Sequence, residues 1–118
     1  MMIEEKLLME WGAEYKEFDK NEVIFWEGDS CHYYYQLNAG VIKWVNLWDN
    51  GKEYLQNIIY PNQCVGELPL FDDGVYAATA IATTKSILLR LPKRSFKLLL
   101  EQFPAIHFSF SKLLTERL

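Results

Sequence analysis

Only two cysteines occur in this chain, Cys31 and Cys64, and they stand far apart in no C-x-x-C pair. That spacing excludes four-thiolate and finger-type metal sites and leaves both as candidate buried thiols in a reducing compartment. Histidine is equally scarce, with His32 and His107 alone. A metal-dependent cupin needs two or three histidines and a carboxylate on its β-roll, so no such ligand set is available and no metal site is expected. A haem needs only one axial ligand, yet no His or Cys pairing here matches a known arrangement. None of Ser30, Ser86, Ser95, Ser109 and Ser111 sits in a nucleophile-elbow motif, so side-chain catalysis has no visible constellation and an enzyme is not expected.

A basic block is also missing. Twelve Lys and Arg are scattered among sixteen Asp and Glu, for a formal net charge of −4. Affinity for a duplex comes largely from neutralised phosphates, so this segment is not expected to bind DNA itself. No apolar run is long enough to span a bilayer. Glu4, Glu5 and Lys6 interrupt the place where a signal peptide would carry its apolar core, so a cytoplasmic location is expected. There is no internal repeat, low-complexity stretch or flexible linker.

What the chain has in quantity is apolar and aromatic surface. Half of its 118 residues are hydrophobic and 15% are aromatic. A chain of this length supports one core, and that composition offsets conformational entropy without disulfides or metal. One domain over 1–118 follows.

Ile3, Leu7, Leu8 and Trp11 lie at helical spacing, predicting a short helix within 2–15 that stops near Gly12. After Phe18 the pattern changes to short runs of Val, Ile, Tyr, Trp and Phe separated by Gly, Asn and Asp. Strands are predicted over 23–26, 33–38, 41–48, 52–60, 76–83 and 86–91, the pattern of an all-β roll or sandwich. Asp49-Asn50-Gly51 marks a tight hairpin, because Asn and Gly tolerate the positive φ it requires. Helical spacing returns at Phe96, Leu99 and Leu100, and again after Pro104, which suits a first helical turn.

The β region carries Gly28-Asp29, Gly40-Val41-Ile42-Lys43, Asn50-Gly51-Lys52-Glu53, then Gly66-Glu67-Leu68-Pro69-Leu70-Phe71 and Ala77-Ala78-Thr79. In order and spacing this resembles the cyclic-nucleotide-binding sensor domain of Crp/Fnr-type transcription regulators. The resemblance covers nearly the whole chain. It implies a mainly β fold, a jelly-roll-like β-roll or double-stranded β-helix of eight strands, with a short N-terminal helix and C-terminal helices. It also implies a ligand cassette over 66–79, with Gly66, Glu67, Leu68, Tyr76, Ala77 and Thr79 as ligand-binding candidates. By position Glu67 would be the carboxylate that accepts a ribose hydroxyl. Where such cassettes place an arginine that forks onto the phosphate, this chain has Tyr76, a neutral single donor. Asp72 and Asp73 add negative charge to the same loop.

The ligand implied is a cyclic nucleotide or another small anion, with tight cyclic AMP binding disfavoured by Tyr76. The resemblance further implies a homodimer through the last helix, its seam formed by Ile106, Phe110, Leu113 and Leu114 and continued by Leu118. The same stripe could instead pack that helix on the roll. DNA would be met only by a helix-turn-helix domain beyond Leu118, the chain being expected to end inside the dimer helix. The competing reading is a degenerate domain that keeps the fold for association without a ligand.

Overall fold

The computed structural model describes residues 3–117, with side chains through Glu116. Met2, the start of the predicted first helix, and Leu118, the end of the predicted seam, lie outside them. Eight strands form two four-stranded antiparallel sheets, with a short helix before them and two helices after. One sheet has the order β1(Glu14–Phe18)-β8(Ser86–Pro92)-β3(Tyr33–Ala39)-β6(Cys64–Val65). The other runs β2(Val23–Phe25)-β7(Thr79–Ala82)-β4(Ile42–Leu47)-β5(Glu53–Ile59). The fold class is therefore the mainly β roll anticipated from the sequence.

The first helix, α1(Glu5–Glu10), is shorter than its apolar spacing suggested, because Gly12 at φ +99° turns the chain and Glu14 already enters β1. The Asn50-Gly51 hairpin joins β4 to β5 as expected, with Gly51 at φ +81° and its N–H donating to the Trp48 carbonyl at 2.9 Å. Two strands were not foreseen. β1 is an edge strand with four of five residues exposed, so it carries no alternation of apolar and polar positions. β6 is only two residues long.

β3 departs from a half-buried strand, being buried on both faces. Tyr35 points between the sheets toward Phe25, ring centroids 5.8 Å apart. Tyr34 points the other way and stacks on Phe96 at 4.7 Å. Phe96 belongs to α3(Lys93–Gln102), and Phe110, from α4(Pro104–Arg117), meets both rings edge-on. Each such aromatic contact adds about 0.5–1.5 kcal/mol beyond the area it buries. Both C-terminal helices are thereby anchored to the outer face of the roll.

Gln36, buried on the same strand, ties in the N-terminus. Its side-chain oxygen accepts from the Ile3 N–H at 2.8 Å and the Tyr34 hydroxyl at 2.6 Å, while its amide donates to the Ile3 carbonyl at 2.8 Å. These bonds satisfy backbone groups that burial would otherwise leave costly.

Candidate functional site

The cassette begins where β6 ends. Gly66 has φ +66°, and a Cβ there would stand 2.6 Å from Phe25 Cζ and 2.8 Å from Tyr76 Cε1. Glycine is required on both counts, by backbone conformation and by close approach. The turn leads through Glu67 into α2(Pro69–Asp72), a single helical turn whose Pro69 tolerates the missing N–H at its start. Asp73 closes it in the left-handed conformation at φ +56°.

Above this turn lies a cavity of about 330 Å³. Gly66, Glu67, Leu68 and Pro69 form one side, Val75 and Ala77 another, and Trp44, Ile59 and Val65 supply the apolar base. Gln56 and Asn57 complete it from β5, and Leu114 reaches it from α4. Two adjacent strand residues reach one cavity because Gln56 is the extra residue of a β-bulge: Trp44 pairs with Asn57 and Val45 with Leu55. Gln56 also donates to Asn46 Oδ1 at 2.7 Å, and Asn46 donates to the Ala77 carbonyl at 2.9 Å and to Glu27. This amide chain ties the bulge to the loop that precedes β7.

Of the six ligand-binding candidates, Gly66, Glu67, Leu68 and Ala77 meet at this cavity. Tyr76 and Thr79 do not line it. Thr79 is buried, and its hydroxyl accepts from the Glu27 N–H at 2.9 Å, holding β7 against the turn after β2. Tyr76 turns beneath the cassette, where its ring stacks on Phe25 at 3.6 Å and its hydroxyl donates to Cys31 Sγ at 3.2 Å. Burial above all, then the Cys31 contact, pushes this phenol far above its ordinary value, so it stays neutral at physiological pH. Both cysteines are buried.

Glu67 is buried at the cavity wall. Its charge, after burial and Cys64, contributes to holding the Tyr34 phenol well above its usual range. Asp72 and Asp73 face away from the cavity. Asp72 accepts from the Gly74 N–H at 2.8 Å, while Asp73 pairs with Lys93 at 2.8 Å and Lys97 at 3.4 Å. Hydrogen bonding to Lys93 first, then to Lys97, holds the Asp73 carboxyl below its ordinary value. Lys93 Nζ also donates to the Pro69 carbonyl at 3.3 Å, so the end of the cassette is tied to the start of α3.

On α4, Phe110 is fully buried against Tyr34, Phe71 and Phe96 within the same chain, leaving it no surface to offer a partner. Ile106, Leu113 and Leu114 are half-buried, and Phe108 is 73% exposed. Trp44, Gln56, Asn57, Val75 and Leu114 were not identified as cavity residues from sequence. A bulge and the approach of a distant helix place most of them, and neither leaves a local signal. Among the described residues no group of three or more His, Cys, Asp or Glu side chains is placed to hold a metal ion, and no helix is long and apolar enough to cross a membrane.

A β-roll that holds a ligand-sized cavity between a Gly-Glu-Leu turn and a terminal helix defines a class of small-molecule-binding regulatory domain. The chain belongs to the cyclic nucleotide-binding domain family, whose model matches residues 15–103. It is 26% identical over 101 residues to the cyclic AMP receptor protein of Thermus thermophilus, covering 86% of this chain and 47% of that protein. The chain thus spans about half the length of that curated relative. The crystal structure of the Thermus thermophilus catabolite activator protein matches with a TM-score of 0.86 at 23% identity, over 95% of this chain and 52% of that one. The sensor domain of the transcriptional regulator DNR from Pseudomonas aeruginosa matches at 0.80 and 25% identity, over 94% and 73%. The chain is a cyclic-nucleotide-binding domain that resembles those of Crp/Fnr-type regulators.

Proposed function

We propose that this chain is the effector-sensing domain of a Crp/Fnr-type transcription regulator, with its effector site in the cavity above Gly66-Glu67-Leu68. The observation that carries this reading is Leu114, a residue of α4 that lines the same cavity as the cassette. An occupant of that cavity touches the roll and the terminal helix together. It therefore acquires different affinities for different settings of α4, which is what a ligand needs to shift a conformational equilibrium.

In this reading α4 pairs with its copy in a homodimer. The support is Phe108, a large aromatic side chain left in solvent on that helix, on another face from the half-buried Ile106, Leu113 and Leu114. DNA is contacted by residues outside this segment, the location is cytoplasmic and the role is non-enzymatic. The regulatory character of the family and the acidic charge of the segment support these assignments.

The test is a thermal-denaturation screen against cyclic nucleotides, nucleosides and small aromatic compounds, run on the wild-type chain and on Ala77→Trp, which fills the cavity mouth. A compound that raises the wild-type Tm and leaves the variant's unchanged supports the effector site. A folded, dimeric chain that responds to nothing across the panel supports the competing reading, a domain kept for association alone.

A further inference from the structure

We infer that the roll carries a second small-molecule site, in a cavity framed by β2, the turn that follows it and the start of β3, and that this site takes a single aromatic ring bearing a hydroxyl. Five aromatic side chains line it: Phe25, Trp26, Tyr33, Tyr35 and Tyr76. None of the five borders the effector cavity, so the two spaces are separate. The walls are set before any ligand arrives. Gly28 N–H donates to the Tyr76 carbonyl at 2.8 Å, Tyr76 N–H donates to the Asp29 carbonyl at 3.0 Å, and Ser30 bridges Val75. A preformed wall spares the ligand the cost of ordering it.

The rings give the body of the ligand. Phe25 and Tyr76 form a stacked pair, Tyr35 stands 5.8 Å from Phe25, and Tyr33 stands 5.8 Å from Tyr35. Arg90 lies over the Tyr33 ring, 4.6 Å from its centroid, and is itself paired with Glu14 at 2.6 Å. Aromatic walls favour a planar partner in offset or edge contact. An engineered apolar cavity of roughly 150 Å³ holds benzene. The volume here, about 210 Å³, therefore suits one substituted ring rather than a nucleotide. Trp26 is 53% exposed, so a ring entering beside it covers indole surface that folding alone leaves in water.

The polar residues of the lining give the head group. Asp29, Ser30 and His32 are exposed and border the same space. Asp29 Oδ2 accepts from the Trp26 N–H at 3.2 Å, and a carboxylate accepts about four such bonds, so a hydroxyl on the ligand finds an acceptor there. The site also reaches the cassette. Phe25 and Tyr76, which line it, are the rings against which Gly66 packs, and Gly66 borders the effector cavity. An occupant of the second site therefore presses on the pair that backs the first turn of the cassette.

The test is an amide NMR titration of the wild-type chain with phenol, cyclohexanol and anisole. The second probe lacks the aromatic face and the third lacks the donor. Phenol should bind with a Kd on the order of 1 mM, moving the signals of Trp26, Asp29 and Tyr33 together with that of Gly66. Cyclohexanol and anisole should each bind about fivefold more weakly or worse. Trp26→Ala, a change at an exposed side chain, should weaken phenol by a similar factor. The wild-type ranking decides the matter should that variant fail to fold. Cyclohexanol or anisole binding as tightly as phenol would overturn the ligand class. If phenol moves Asn57 and Leu114 but not Trp26, Asp29 and Tyr33, it occupies the effector cavity; the second site is then lost while the effector site stands. A chain that stays folded and responds to none of the three probes overturns the second site outright.

Discussion

The ring of Tyr76 lies on the ring of Phe25, centroids 3.6 Å apart and planes 9° from parallel, with the phenol hydroxyl on Cys31. Tyr76, at the position where the family resemblance implies an arginine, is thus part of the core. On sequence alone Tyr76→Arg reads as restoring a missing charge. The stack implies otherwise: an arginine on this backbone leaves a guanidinium among Phe25, Tyr35 and Cys31. Urea denaturation should show a loss of roughly 2–4 kcal/mol for Tyr76→Arg. Tyr76→Phe keeps the stack and should lose only about 1 kcal/mol with the hydroxyl bond.

Alkaline pH should find the same residue. Tyr34, Tyr35 and Tyr76 all have phenols raised above the ordinary value of 10.0, burial being the main cause in each. A raised acid binds its proton more tightly folded than unfolded, so the stability it contributes is fully present below pH 10 and lost above it. Denaturation free energy should fall there by up to about 1.4 kcal/mol per pH unit for each such tyrosine. Tyr76→Phe should remove one share of that slope; an unchanged slope would place Tyr76 outside the buried stack.

Gly66→Ala tests the cassette's first turn. The new methyl would meet two buried, stacked rings, and φ +66° is strained for alanine. A loss of roughly 2–4 kcal/mol is expected in chemical denaturation, with overpacking and backbone strain adding.

Lys93→Met releases the cassette from α3 by removing the Asp73 pair and the Pro69 carbonyl contact. Global stability should barely change, because Asp73 is largely exposed and its ion pairs are screened by solvent. Amide exchange across α2 should nevertheless accelerate, since the loss is local. Equal exchange in both proteins would show that the latch carries no strain or order.

The roll was legible because its turns are chemical: Gly51 and Pro104 each do what their backbone freedom or rigidity dictates. Gly66-Glu67-Leu68 and Ala77 likewise led directly to the cavity. The rest depended on tertiary geometry. β1 is an exposed edge without alternation, and the bulge at Gln56 turns two successive residues toward one space. Tyr76 carries no sequence mark of which way it faces. Phe110 and Leu114 read alike as members of one apolar stripe, yet the first fills the core and the second borders the cavity.

The most direct test of the account is amide hydrogen exchange along α4 with the cavity saturated by a compound that raises the wild-type Tm in the denaturation screen. The account predicts slowed exchange both across residues 66–77 and around Leu114, because one occupant touches both. Slowed exchange in the cassette with α4 unchanged would contradict it, leaving a cavity that binds but does not signal.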